Sequence, residues 1–265
     1  PNPMLMGTTR PFSLQHIRRT RGGSDPLWVS LMAELLYDKY TVVREEFQGT
    51  LDSVLWTAAV TAGGGPTAFA YSAARGGQIQ GATGTTDNDA TAIHMTRTHF
   101  DPADNPFLFI HWKANAVTGF SFEVGFSDPK TDEALPGISD VDVPTVGNGV
   151  TDIVCVHMDT DQTLTTAELI GDGTTGAAVA SAGPTLTSVA YTPTADAWQA
   201  VLIGVRANFG YAVIYNGNGY VGRFSVANGP DSGVLVRPYA LFRTRNTVTK
   251  TIDIRKIVVG CEMNG

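Results

Sequence analysis

Charge is scarce in this chain: Asp, Glu, Lys and Arg make up only 16 % of its 265 residues. Cysteine is scarcer, with Cys155 and Cys261 alone. Two cysteines cannot build a disulfide framework, and both are expected to be reduced. Cys155 sits in the apolar run Ile153-Val154-Cys155-Val156, where a thiol behaves as a small buried hydrophobe. No stretch approaches the ~20 apolar residues that span a bilayer, and the N-terminus has no apolar signal segment. A chain beginning at Pro1 fits loss of an initiator Met, so the expectation is a soluble protein made in the cytoplasm without a membrane partner. Motifs of catalysis are missing too. There is no His-Glu-x-x-His, no Gly-x-Ser-x-Gly and no phosphate-binding loop.

Acid is absent from residues 1–24, which carry Arg10, Arg18, Arg19 and Arg21. All 25 carboxylates fall in the remainder, against its 14 Lys and Arg, so a +4 arm precedes a −11 body. The acidic body is a poor partner for nucleic acid, which needs clustered cations; only the arm could serve, and only if it faced packaged DNA. Residues 1–24 show no periodicity and contain Pro1, Pro3, Pro11, Gly22 and Gly23. Met4, Leu5, Met6, Phe12, Leu14 and Ile17 nevertheless make the arm too apolar for a solvated tail. Two readings stand: the arm docks in a groove of another subunit, or it packs on its own body.

Ser24-Asp25-Pro26 has the form of a helix start, with a capping side chain and Pro at the first helical position. Leu27, Leu31 and Leu35, flanked by Trp28, Met32 and Leu36, give residues 26–38 a broad apolar stripe. The body or a neighbour must cover it. From Tyr40 onward the period is two. Phe120, Phe122, Val124 and Phe126 alternate with Ser121, Glu123, Gly125 and Ser127, the pattern of a strand with one face in a core. Residues 106–113 and 198–206 are apolar on both faces and read as central strands. Asn216-Gly217-Asn218-Gly219 between two strand patterns predicts a hairpin with a type I′ turn. The phase slip from Ile252 and Ile254 to Ile257 and Val259 predicts a bulge near Arg255-Lys256. Stretches 62–67, 81–87 and 171–184 read as loops. With 29 glycines and about a dozen strands, the fold is all-β, an antiparallel two-sheet sandwich. Its expected division is an arm (1–24), a short helix (25–39) and a sandwich (40–265).

The order of elements resembles the laminin-G-like, concanavalin-A-like jelly rolls encoded by tailed bacteriophages. The resemblance spans roughly residues 40–262. It rests on the opening strand Tyr40-Thr41-Val42-Val43-Arg44-Glu45-Glu46-Phe47-Gln48-Gly49 and on Gly84-Thr85-Thr86-Asp87-Asn88-Asp89-Ala90. The strand ending Val124-Gly125-Phe126-Ser127-Asp128, the Asn-Gly hairpin and the closing Ile252-Asp253-Ile254 strand also carry it. It implies a virion protein and places the Val-Gly-Phe-Ser-Asp strand at the sandwich centre. Glycan-cleaving enzymes of this architecture carry Glu-x-Asp-x-x-Glu, which is missing here. Glu45 and Glu46 are adjacent and would point to opposite faces. Glu123 is the best isolated carboxylate, on the polar face of its strand, and no second carboxylate is visible in register.

The histidines His16, His94, His99, His111 and His157 lack metal-ligand spacing; His111 and His157 read as satisfied strand residues. Cys155 and His157 would share a strand face. Calcium is the one cofactor to name, at Asp87-Asn88-Asp89, Asp140-Val141-Asp142 and Asp159-Thr160-Asp161, although turn-forming carboxylates explain the same clusters. Trp28, Trp56, Trp112 and Trp198 read as core, while Tyr191, Tyr215 and Tyr220 could be exposed platforms for sugar.

The expectation is a non-enzymatic capsid decoration (cement) protein on the virion surface, assembled in the host cytoplasm. Met4, Leu5, Met6, Arg10, Phe12, Ile17, Arg18, Arg19 and Arg21 would contact the major capsid protein or a sister subunit. Leu27, Leu31 and Leu35 would join subunits into a dimer or trimer. The alternative is a carbohydrate-binding module of a head fibre or tail appendage.

Overall fold

Alternating side chains build two sheets, and among the described residues the only helix is a single 3-10 turn at Pro102–Asp104. A computed structural model describes residues 40–262, except 48, 63–64, 74–76, 97–99, 139–144, 161–165, 174–184 and 207. The expected arm and helix, with all their proposed contact residues from Met4 to Leu35, lie outside the described residues, as do His16, His99, Trp28, Asp140, Asp142 and Asp161.

The strands run β1 (Tyr40–Glu45), β2 (Trp56–Val60), β3 (Thr67–Tyr71), β4 (Ile79–Ala82), β5 (Ala90–Met95), β6 (Phe107–Ala114), β7 (Phe120–Ser127) and β8 (Ile153–Asp159). They continue as β9 (Thr166–Asp172), β10 (Thr185–Ala190), β11 (Gln199–Arg206), β12 (Phe209–Asn216), β13 (Gly219–Val226), β14 (Arg237–Thr244) and β15 (Thr251–Glu262). The first sheet has the order β13-β12-β11-β6-β15-β4-β3, with β1 also paired to β15. The second has the order β10-β9-β8-β7-β14-β5-β2. All pairings are antiparallel, and sequence neighbours often lie in opposite sheets, which makes the fold a two-sheet jelly roll.

Strand β15 stitches the first sheet together. It pairs with β6 along one edge; along the other, Thr251–Ile254 meet β4 and Ile257–Glu262 meet β1. Its register shifts between Ile254 and Lys256, the bulge that the phase slip predicts. The apolar stretches at 106–113 and 198–206 become β6 and β11, adjacent inside that sheet. Strand β7 is the middle strand of the second sheet, as the resemblance implies. The predicted loops are too long: β9 runs to Asp172, β4 takes Gly81 and Ala82, and β3 starts at Thr67.

The hairpin joins β12 to β13, but its turn is not type I′. A type I′ turn needs positive φ at Gly217 and Asn218; here the positive φ falls one residue later, on Gly219 at 129°. Asn216 Oδ1 accepts from the Asn218 N–H at 2.9 Å, and a register shift at Ile214/Tyr215 absorbs the offset. The Asn side chain thus closes the turn itself.

Between the sheets lies the main core. Trp112 sits with its ring centroid 5.2 Å from those of Phe122 and Phe242, and Phe120 is 5.8 Å away. Each such side chain contributes roughly 1.5–3 kcal/mol by leaving water. Trp56 and Trp112 are core, but Trp198 is only half buried and points out of the first sheet. Tyr191 is 2 % exposed, not a surface platform, because its hydroxyl bonds Gln199 inside the sandwich. Among the described residues no helix is long and apolar enough to cross a membrane.

Candidate functional site

The outward face of the second sheet collects polar chemistry that the sequence scatters. On β7 the phenylalanines turn inward, so Ser121, Glu123 and Gly125 turn outward. Register then sets side chains from adjacent strands into rows. One row reads Leu241, Glu123, His157, Glu168 across β14, β7, β8 and β9. The next reads Arg243, Ser121, Asp159, and on the other side Tyr239, Gly125, Cys155, Ile170.

This face is not open, contrary to the expectation that β7 buries only one side: all eight residues of β7 are buried. The connection between β7 and β8 folds back over the sheet. Its Ile138 and Val150 pack with Ile153, Cys155, Ile170, Tyr239 and Leu241 in a second apolar cluster. Glu123 fastens this cover. Its carboxylate accepts from the N–H groups of Gly137 at 2.9 Å and Ile138 at 3.3 Å, and from the Tyr239 hydroxyl at 3.1 Å. A Cβ at Gly137 would come within 2.7 Å of Ile153 Cδ1, so a larger residue there would push that side chain aside.

Lys130 supplies the counter-charge, with Nζ 4.0 Å from Glu123 Oε2 and 3.7 Å from the Tyr239 ring centroid. Burial opposes the Glu123 charge, but Lys130, Arg243 and the Gly137 N–H outweigh it and hold the carboxyl below its usual range. Burial brings Lys130 down to about 8, with Glu123 resisting the fall. A carboxylate so held is a brace for the covering segment.

Farther along the row, hydrogen bonding runs out. His157 is 1 % exposed and neither ring nitrogen has a hydrogen-bond partner. Glu168 Oε2 and Arg243 Nε are likewise unpartnered. Burial keeps His157 below its ordinary pKa and pushes Glu168 above its own, so imidazole and carboxyl both shift towards their neutral forms. The Arg243 Nη2 donates to Ser121 Oγ at 3.0 Å and lies 3.5 Å from Asp159 Oδ2. Asp159 also meets Arg245 Nε at 3.1 Å, and Arg245 reaches Asn88 and the exposed Asp87. A chain of charge therefore runs from the buried row to the surface between the 83–90 and 244–250 turns.

Cys155 and His157 share this face, as alternation requires, but form no nucleophile–base pair. Burial and the nearby Glu123 charge raise the Cys155 thiol well above its ordinary value, so it stays protonated. Both cysteines are free. The Asp87-Asn88-Asp89 cluster is engaged as a turn: Asp89 Oδ2 accepts from Thr86 N–H, and Asn88 adopts φ 72°. No three His, Cys, Asp or Glu side chains converge to hold a metal among the described residues. Two further aromatic expectations can be placed. Tyr220 is exposed, edge-on to Tyr215 at 5.8 Å. The Trp198 ring is taken by the Arg255 guanidinium, 4.4 Å from its centroid, while Arg255 Nε donates to His111.

No family model matches the chain, and no curated protein is similar to it in sequence. Solved structures are similar in shape. A seed lectin isoform of Lotus tetragonolobus superposes with a TM-score of 0.56 at 14 % identity, over 85 % of this chain and 100 % of the lectin. A protein of unknown function from Shewanella oneidensis MR-1 gives 0.54 at 11 % identity, over 92 % and 97 %. A prokaryotic β-1,3-1,4-glucanase from a mouse hindgut metagenome gives 0.52 at 12 %, over 83 % and 98 %. The chain has a concanavalin A-like jelly-roll fold. At such identity the likeness establishes the fold and leaves the activity to be argued from the residues.

Proposed function

We propose that this protein binds carbohydrate without cleaving it, at the β12–β13 hairpin. The observation that carries the reading is Tyr220, 57 % exposed and edge-on to Tyr215 with ring centroids 5.8 Å apart. A tyrosine offers an apolar ring face and a polar tip, which suits the apolar face and the hydroxyls of a sugar ring. The fold shared with a lectin and a glucanase supports the same reading. Glu123, the carboxylate best placed for catalysis by the sequence, is committed to the 137–138 backbone, which supports binding over hydrolysis.

The test is calorimetry against a panel of soluble bacterial and plant polysaccharides, with Tyr220→Ala beside the parent. Loss of the exposed ring should weaken binding roughly tenfold or more, with circular dichroism unchanged. Equal binding by parent and variant would remove the hairpin from the site. Release of reducing ends would replace binding with hydrolysis.

The second reading, a virion decoration protein docking on the major capsid protein, rests on the acid-free arm of residues 1–24. Desolvated arginine forks suit capsid carboxylates. Charge reversal at Arg18, Arg19 and Arg21 in the full chain should abolish binding to heads lacking this protein. Unchanged binding would end that reading.

A further inference from the structure

The outward face of the first sheet is greasy, and no described strand lies over it. Phe107 and Phe109 of β6, Ala200 and Leu202 of β11, Val213 of β12 and Val258 of β15 form a third apolar cluster, apart from the main core. They alternate with Leu108, Ile110, Val201, Ile203, Ile214 and Val259, which belong to the intersheet core, so they point the other way. Yet each is at most 7 % exposed. Val42 of β1 and Tyr215 packs against them. Six apolar side chains at this level of burial need a layer above them.

We infer that residues 26–38, immediately ahead of β1, cover this face as an amphipathic helix and make a third layer of the fold. Position comes first. The segment ends two residues before Tyr40, where β1 begins on the edge of this same sheet, and Val42 already packs against the cluster. Length comes second. The apolar face runs from β1 across β15, β6 and β11 to β12, four strand spacings or about 19 Å. A helix over 26–38 is about 20 Å long at 1.5 Å per residue.

Charge comes third. The central row reads Arg44, Val258, Phe109, Leu202, Val213, Arg223 and so ends in an arginine at both sides. Residues 25–38 carry Asp25, Glu34 and Asp38 and no Lys or Arg. Composition comes last: Leu27, Leu31 and Leu35 give the segment the apolar stripe that such a face accepts. These leucines then turn inward on their own subunit instead of joining subunits.

Hydrogen–deuterium exchange on the full chain, at two protein concentrations about a hundredfold apart, tests this without a mutation. The expected result is protection of the 30–38 amides, identical at both concentrations. Leu31→Glu with Leu35→Glu should abolish that protection and raise binding of a hydrophobic dye about threefold or more, while β7 and β8 stay protected. Protection present only at the higher concentration, together with faster sedimentation, would give the face to a second copy and overturn the proposal. Unprotected 30–38 amides at both concentrations, with dye binding already high in the parent, would overturn it as well.

Discussion

The two outward faces of this sandwich come from the same alternation but carry opposite chemistry. On the first sheet the outward positions at the middle of β6, β11, β12 and β15 are Phe, Leu, Val and Ala, with arginines at the rim. On the second sheet they include Glu123, His157, Glu168, Asp159 and Arg243, set among Cys155, Ile170, Tyr239 and Leu241. Both faces are buried, so each needs a cover, but the covers differ in what holds them. An apolar face is held by area and tolerates changes of shape. A charged face is held by specific pairs, and breaking one leaves a charge stranded away from water. The contrast predicts that the first face is sensitive to truncation and the second to single polar atoms and to pH.

The largest effect should come from Glu123→Ala. It strands Lys130 and leaves the Gly137 and Ile138 N–H groups without their acceptor, at a cost of about 4 kcal/mol in urea unfolding. A loss below about 1 kcal/mol would show that the covering segment is held by Ile138 and Val150 alone.

Acid comes second. His94 lies on the same face of the second sheet, paired in register with Tyr239, and burial lowers its pKa to about 4. Unfolded, it takes its proton near 6.5, so between these values the unfolded state binds more protons. Stability should therefore fall as pH drops from 6.5 to 4, by at most about 3 kcal/mol from this residue. His157 is shifted in the same direction and adds to the loss, and the depressed Glu123 withdraws stability at still lower pH. Melting curves across this range check the sign, and His94→Asn should flatten the slope.

On the first sheet, Leu202→Ala should cost about 2–3 kcal/mol with no change in that pH profile. An altered acid slope would mean that the two faces are coupled through the core. The smallest effect belongs to Arg44→Ala, which breaks an exposed pair with Glu46; thermal unfolding should register about 0.5 kcal/mol or less.

Local pattern was enough for the strands. Strict alternation at Phe120–Phe126 gives β7, two-sided apolarity gives β6 and β11, and a single slip in phase locates the β15 bulge. Turn type was not legible in Asn216-Gly217-Asn218-Gly219, because either backbone solution suits Asn and Gly and the Asn216 side chain chooses. The candidate site was legible only in part. Glu123 stands out as a charge in an apolar strand, but its commitment to Gly137 depends on a connection that leaves β7 and returns over it. Glu168, Lys130, Tyr239 and Arg243 were missed. They gather only once β7, β8, β9 and β14 are in register, and Arg243 lies 122 positions from its partner Ser121. One signal was available: Glu168 sits in the alternating run Thr166-Ala167-Glu168-Leu169-Ile170, beside a stretch that read as loop. Two-sided apolarity in β6 likewise carried a message beyond central placement, namely that the outward side is covered.

The pairing of β1 with the end of β15 brings Tyr40 opposite Glu262, so the described fold starts and finishes at one corner. Joining 262 to 40 by a short linker and reopening the chain at the exposed Thr247-Val248 turn should give a circular permutant with the same sandwich. In such a molecule residues 1–39 could be attached at the new terminus instead, which separates what that segment does from where it is attached.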